Sequence, residues 1–159
     1  MTNQNIDTPI FLSPDGFSSL SNFSAFQIMW KGRCFPTAEH TYQWEKFNGP
    51  GGGYVQSIIA NATSPYDAFQ IGQKYISQIQ EGWPTLRVPT VSQILRCKTE
   101  QHEYIKFKLL QTGDREIIQD NWADRFWGWG EDKQGFNMLG KIWMEIRDDI
   151  RQREGAKNE

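Results

Sequence analysis

The segment from Phe35 to Phe47, Phe-Pro-Thr-Ala-Glu-His-Thr-Tyr-Gln-Trp-Glu-Lys-Phe, constrains the fold more than any other stretch of this chain. Thr37 after Pro36 is placed to cap a helix, and Glu39 falls in the first turn, where the helix dipole favours an acid. Asn48, Gly49 and Pro50 end the run. At ~3.6 residues per turn, Glu39, Tyr42, Gln43 and Lys46 share one face. An amphipathic helix usually presents leucine and valine on its packed face. This one presents a carboxylate, a phenol, an amide and an amine, a set suited to a polar pocket. The alternative is a face that meets water, with Glu39 and Lys46 as solvated charges, and for the helix taken alone that is the simpler reading.

A chain of 159 residues, 38% hydrophobic, suits one domain with a sizeable core. Seven Trp, five Tyr and ten Phe exceed what such a core needs, so some are expected to line a site that stacks flat rings, although core packing is the commoner use of any single one. A net charge of -2 gives no basic footprint for gripping nucleic acid by its phosphates. Cys34 and Cys97 form no CxxC pair and no disulfide framework, as in a reducing cytosol. His40 and His102 have no ligand-like spacing, so no metal is expected. Without a signal peptide or a membrane-length apolar run, the sequence predicts a soluble, cytoplasmic protein.

Along the chain, Ile10 to Leu12 reads as a short strand. Phe26, Ile28 and Trp30 alternate, Lys31-Gly32 turns, and Arg33 to Phe35 returns as a hairpin. Gly49 to Gly53 is a permissive turn or a flexible lid, the turn being the simpler choice. Ser64-Pro65-Tyr66-Asp67 opens a helix. Val91, Ile94 and Leu95 start another, which the pattern carries through Phe107 and Leu110 to Gly113. Asp114 is placed to cap a short helix through Ile117 and Ile118. Leu139, Ile142, Trp143, Ile146 and Ile150 form the apolar stripe of a final helix. The fold class expected is α+β: a compact, mostly helical single domain over residues 1–159 with a small β component, its core at about 17–150, and the N-terminal few residues and residues 152–159 frayed.

A second cluster runs Asp124-Arg-Phe-Trp127-Gly128-Trp129-Gly130, then Gly135-Phe-Asn137-Met-Leu-Gly140. Glycines between tryptophans allow unusual turns while wide rings are presented. Trp127 is a candidate stacking platform, and Asn137 a candidate cap for the final helix.

Together, Ser19-Ser-Leu-Ser-Asn22-Phe23, Phe35-Pro-Thr-Ala-Glu39-His40 with Gln43 and Lys46-Phe47, Trp83, Lys106 to Asp114 with Thr112-Gly113-Asp114, Trp127-Gly128 and Asn137-Met-Leu-Gly140 resemble the NADAR (YbiA-like) family. The similarity runs from about Phe17 to Arg147. The resemblance implies a compact α+β domain with a cleft lined by the Glu-bearing helix and the Trp-Gly loop. It also implies an N-glycosidase, acting on a ribosylamino-pyrimidine phosphate of riboflavin synthesis or on ADP-ribosylated guanine. One position departs: many relatives have a small apolar or acidic residue between the two glycines of the Trp-Gly-x-Gly turn, where this chain has Trp129. No role of a carboxylate there carries over.

Breaking a ribosyl C1′–N bond builds positive charge on the sugar, leaves an amine that needs a proton, and requires a nucleophile at C1′. Glu39 is suited to stabilise that charge or activate water. Two jobs are open to Lys46: holding phosphate as a point charge, or attacking a ring-opened C1′ aldehyde to form an imine. Asp124 is a candidate to orient Lys46 or the water, with a turn or cap role equally open. Trp127 and Trp83 are candidates to stack on the base, with Gly128 allowing close backbone approach. Asn22, Gln43 and Asn137 suit ribose hydroxyls or phosphate oxygens, and Phe23 joins the substrate-binding set through its motif. His40, about 100° round the helix from Glu39, reads as structural or supporting.

The expected partner is an ADP-ribose-containing or ribosyl-nucleotide substrate, in one form attached to nucleic acid, with no cofactor, membrane or obligate protein partner. A non-catalytic module that binds ADP-ribose or a related nucleotide is the alternative. Such a reader needs only stacking and hydrogen bonds, not a general base or an amine nucleophile.

Overall fold

The computed structural model describes residues 7–12 and 16–157. In chain order its elements are β1 (Ile10–Phe11), β2 (Ile28–Trp30), β3 (Arg33–Phe35), α1 (Ala38–Lys46), α2 (Gly53–Ala60), α3 (Pro65–Lys74), α4 (Trp83–Gln101), α5 (Glu103–Gln111), β4 (Ile117–Ile118) and α6 (Met138–Ala156). Short 3-10 turns occupy Ser18–Leu20 and Ile76–Gln78. The helical α+β expectation holds. The elements fall into two compact units, one of residues Asn22–His102 and one of the described residues up to Ser21 together with those from Glu103 onward.

In the Asn22–His102 unit, β2 and β3 form the expected antiparallel hairpin, with Ile28 opposite Phe35 and Trp30 opposite Arg33. Lys31 and Gly32 both take positive φ, as a two-residue turn matched to strand twist requires. Thr37 caps α1 by accepting the His40 N–H. Beyond α1 the glycine-rich stretch is a turn: a Cβ at Gly52 would lie 1.8 Å from the Phe47 carbonyl oxygen, so only glycine lets the chain fold back on the end of α1. The helix α2 that follows was not expected, because Gly52 at its start provides no side-chain cap to read. Phe47, Val55, Ile59 and Ala68 then close a core joining α1, α2 and α3, with Trp44, Ile71 and Tyr75 against it. Ser64 caps α3 with Pro65 behind it, as expected.

The long helix differs from its expected limits at both ends. It begins at Trp83, eight residues before Val91, and tolerates Pro89 inside it. Proline removes one helical N–H and crowds the preceding turn, so a pattern reading starts the helix after it. The far end breaks at His102, which is extended. His102 turns its ring edge-on to Phe26 and places Nε2 2.6 Å from the Gln27 carbonyl oxygen. Beside it, Gln101 bonds both the N–H and the carbonyl of Met29. These contacts beside the hairpin outweigh the helical continuity that the sequence pattern suggests.

The same unit buries an ammonium. Lys98 of α4 is 0% exposed, donates to Ser24 Oγ at 2.7 Å and lies 5.5 Å from the Phe26 ring centre. It ties the helix to the Asn22–Phe26 loop. Burial pushes its pKa down from 10.5 to about 7.

In the other unit, β1 and β4 pair in parallel, Ile10 with Ile117 and Phe11 with Ile118. The short helix expected through Ile117 and Ile118 is therefore a strand. Both isoleucines are buried, as adjacent β-branched residues are when the two faces of a strand are covered. The stripe Leu139, Ile142, Trp143 and Ile146 of α6 is core, as expected, with Trp143 Nε1 donating to the Leu20 carbonyl. The helix continues to Ala156, so residues 152–156 are part of α6; the N-terminal few residues (1–6) and 158–159, also expected to fray, lie outside the described residues.

Asn137 stands at the cap position of α6, but its side chain makes no cap bond. Its Nδ2 donates to the Ile117 carbonyl at 2.8 Å, and its Oδ1 accepts the Gln119 N–H at 2.9 Å. Gly140 completes the fit, since a Cβ there would lie 2.0 Å from the Ile117 oxygen. The Asn-Met-Leu-Gly motif is thus the joint between α6 and β4.

Two outcomes are expected. Asn137→Gly keeps the positive φ of 48° accessible but removes both bonds, and should cost about 2–4 kcal/mol in denaturant unfolding; a loss below about 0.5 kcal/mol would show that the joint does not depend on this side chain. For Lys98 the linkage has a definite sign. Below pH 7 both folded and unfolded chains carry the ammonium, and the fold bears the full cost of burying it. Between about 7 and 10.5 the folded chain loses its proton first, so stability rises with pH. The melting temperature of the native protein relative to Lys98→Met should therefore climb from pH 7 to 9.5, and parallel pH profiles would refute this.

Candidate functional site

The polar face of α1 is buried. Glu39 is 6% exposed, Gln43 1% and Lys46 9%, with Tyr42 also buried, which removes the solvated-face alternative. The three side chains form one row. Lys46 Nζ donates to Gln43 Oε1 at 3.2 Å, and Gln43 Nε2 donates to Glu39 Oε1 at 2.6 Å. The carboxamide thus bridges amine and carboxylate, accepting from one and donating to the other. Gly72 of α3 makes room for it: a Cβ there would lie 2.1 Å from Gln43 Oε1.

Lys46 Nζ lies 5.4 Å from the Tyr42 ring centre, and Tyr42 packs at 5.5 Å against the buried ring of Trp83. Burial beside this aromatic wall lowers the Lys46 pKa, and the positive charge of Arg87 lowers it further, against an opposing pull from Glu39. A lysine in this setting has more free amine at neutral pH than an exposed one. Asn22 supports the start of the row by accepting the Glu39 N–H on its backbone carbonyl. Its side-chain Oδ1 is buried with no hydrogen-bond partner among the described residues, and the neighbouring Phe23 is 44% exposed.

The other ionisable groups of α1 have separate work. Glu45 accepts from Trp30 Nε1 at 2.6 Å and pairs with Lys31 at 2.7 Å, which fastens the helix to the hairpin. His40 accepts from Thr37 Oγ1 on Nδ1 and reaches the Ala62 carbonyl with Nε2, a structural role as expected. Burial lowers its pKa, which keeps the ring neutral for that pair of bonds.

The remaining candidates belong to the other unit. Asp124 Oδ1 accepts the N–H groups of Phe126 and Trp127, both at 2.8 Å, so that oxygen shapes the turn. Trp127 is half-buried with Phe126 edge-on at 4.9 Å. At Gly128 a Cβ would lie 2.8 Å from the Gln119 oxygen and 2.9 Å from that of Asp124, so glycine is demanded by the chain's own backbone. The carbonyls of Phe126, Trp127 and Gly128 accept the N–H groups of Met138, Leu139 and Asn137. They satisfy the free donors at the start of α6, making the Trp-Gly and Asn-Met-Leu-Gly motifs one structural piece. Trp129 donates to Asp120 and stacks edge-on with Phe11.

Two residues escaped the sequence reading. Arg87 sits one turn after Trp83, and that i, i+4 spacing was the available signal, hidden because the helix was started at Val91. Gly72 was also missed, since nothing in a helical glycine tells which side chain it accommodates. Among the described residues, no group of three or more His, Cys, Asp and Glu is arranged to hold a metal ion, and no helix is long and apolar enough to cross a membrane.

Comparison with known proteins adds independent findings. The NADAR domain model matches residues 10–151, across both units. A riboflavin biosynthesis protein of Vibrio vulnificus is 34% identical over 151 residues; the match covers 92% of this chain but 40% of that longer protein. An N-glycosidase of Nostoc punctiforme is 32% identical over 135 residues, covering 85% of this chain and 86% of its own length. The solution structure of Escherichia coli YbiA superposes with a TM-score of 0.82 at 29% identity, over 93% of this chain and 88% of that one. With a family match over most of its length, and a solved relative of the same fold, the chain belongs to the NADAR domain family.

Proposed function

We propose that this protein is an N-glycosidase that cleaves the bond between ribose C1′ and the amino nitrogen of a planar heterocycle, on a substrate carrying phosphate. A ribosylamino-pyrimidine phosphate and ADP-ribosylated guanine both meet that description. The observation that carries the reading is the buried row Lys46–Gln43–Glu39. A module that only binds nucleotide gains nothing from burying an amine and a carboxylate, since each costs desolvation. An enzyme that must stabilise charge at C1′ gains from both. Relatives named N-glycosidase, alike in length and about 30% identical, support the same reaction class.

In this mechanism Glu39 faces the sugar and stabilises the positive charge that grows as the C1′–N bond breaks. Lys46, with its lowered pKa, is the nucleophile. Its amine adds to C1′ of the ring-opened sugar and displaces the amine of the base, which leaves with the proton that Lys46 gives up. Water then hydrolyses the lysyl imine, restoring the free amine and releasing the sugar aldehyde, so that one water is consumed overall. Gln43 holds the two groups in register, and Asn22, Phe23 and Trp83 of the same unit are proposed to contact substrate. The free thiols Cys34 and Cys97 suit the reducing cytoplasm in which either substrate would be met.

The test is to incubate the protein with both substrate types and measure released base, ribose phosphate and ADP-ribose by mass spectrometry. Glu39→Gln should keep the fold and lower turnover by about 10²–10⁴. Lys46→Arg should be inactive although it keeps the charge, and borohydride added during turnover should leave a reduced sugar adduct on Lys46. Activity should rise with pH through a limb set by Lys46, below the usual lysine range. Tight ADP-ribose binding without release of base from either substrate would return the chain to the class of nucleotide readers.

A further inference from the structure

Where the inner stripe of α4 has room for one more apolar side chain, it carries an amine. Val91, Ile94, Leu95 and Lys98 stand at i, i+3, i+4 and i+7, all buried, and the last of them is 0% exposed. Replacing a buried charge by an apolar side chain of similar volume is often neutral or stabilising, so stability does not account for a lysine here. Its contacts point to another account. Nζ donates to Ser24 Oγ at 2.7 Å and lies 5.5 Å from the centre of the Phe26 ring, on which His102, one turn further on, packs edge-on. Between these two anchors the chain bends sharply, with the Phe26 N–H on the Ser24 carbonyl at 2.8 Å. The bend follows directly on Asn22, whose backbone carbonyl receives the Glu39 N–H at 3.0 Å. The Asn22 Oδ1 is buried with no hydrogen-bond partner among the described residues, and the Phe23 ring beside it is 44% exposed. An unsatisfied acceptor and an uncovered ring are both unfavourable, and both fall in the one segment that Lys98 fastens.

We propose that Lys98 is a positioning residue for substrate, fixing the Asn22–Phe26 segment in the shape that presents Asn22 and Phe23 to the ligand beside Glu39. The assignment rests on the glycosidase reading of the α1 face. Lys98 touches no reacting atom; it acts through Ser24 and Phe26. An amine suits the task because one group holds a hydroxyl by a hydrogen bond and the face of a ring by its charge. A methionine of the same length would fill the space and hold neither. Burial pushes the Lys98 pKa down to about 7, which measures how poorly the position suits a cation and how little packing alone would favour one there. The effect falls on affinity more than on turnover, since the Glu39 carboxylate is held separately by Gln43 while Asn22 and Phe23 depend on the shape of the segment. Within this unit α1 carries the groups proposed for the chemistry, and α4 sets the grip on substrate.

The experiment compares the native protein with Lys98→Met, Ser24→Ala and the double variant, each as the full chain, with melting temperatures recorded first. Lys98→Met should raise the KM for a ribosylamino-pyrimidine phosphate about 10-fold while kcat moves less than about 3-fold. Its affinity for ADP-ribose, measured by calorimetry, should fall by about the same 10-fold. Ser24→Ala should lose about 3-fold, and the double variant no more than Lys98→Met alone, because the two side chains act through one bond. Hydrogen exchange at the Glu39 and Phe26 amides should quicken about 10-fold in Lys98→Met, with the β2–β3 amides unchanged. Should Lys98→Met not fold, Ser24→Ala combined with Phe26→Leu removes the same two contacts and carries the same expectations. Unchanged KM and ADP-ribose affinity in a folded variant, a loss confined to kcat, or losses that simply add would overturn the assignment. So would native-like exchange at both amides, whatever the ligand. Should the native protein bind ADP-ribose but release no base, the glycosidase reading fails, while the ADP-ribose affinities still decide whether Lys98 positions the segment.

Discussion

The hydrogen-bonded row of Glu39, Gln43 and Lys46 is the interaction on which the architecture around α1 depends. A buried carboxylate and a buried ammonium are each costly, and the cost falls only when their bonds are satisfied at short range. Gln43 does this from between them, because a carboxamide can accept from the amine and donate to the acid at once. Around the row, Thr37 and the Asn22 carbonyl hold the start of α1, Gly72 leaves space for the carboxamide, and Gly52 lets the chain return over its end. A polar helix face can then lie inside the protein without forfeiting the apolar core of Phe47, Val55 and Ile59 below it.

Asparagine and glycine have architectural work in the second unit. Three carbonyls of the Trp-Gly turn receive the first N–H groups around α6, and Asn137 binds the backbone of β4 from the other side. Both motifs that the sequence offers as ligand-contacting therefore first solve a problem of helix termination and strand attachment. Asp124 is similar, its oxygen turned to two backbone donors of the same loop. Trp127, proposed from the sequence as a stacking platform, is half-buried in that unit. The ionisable groups proposed as catalytic, in contrast, lie on α1, where amine and carboxylate are bridged by the Gln43 carboxamide.

Much of this was legible from local sequence. The hairpin, the capped helices α1 and α3 and the apolar stripe of α6 follow from turn chemistry, caps and period, each of which acts over a few residues. The failures share one cause. Ile117 and Ile118 are a strand because β1, more than a hundred residues earlier, pairs with them; Pro89 is tolerated within a long helix whose inner side is buried; and His102 breaks the helix because the ring of Phe26 and the carbonyl of Gln27 receive it. Arg87 went unnoticed with the turn of α4 that carries it.

The order of residues along α1 alone determined that Glu39, Tyr42, Gln43 and Lys46 share a face, since helical geometry fixes neighbours three and four apart whatever surrounds them. Motif order alone was likewise enough to indicate the family. Whether that face meets water or lies inside could not be read from it, because burial is a property of what packs against a helix. Tertiary structure decided it by bringing Trp83 and α4 to one side and α3, with Gly72, to another. Desolvation by those neighbours is what turns a row of ordinary surface charges into an amine of lowered pKa bridged to a carboxylate.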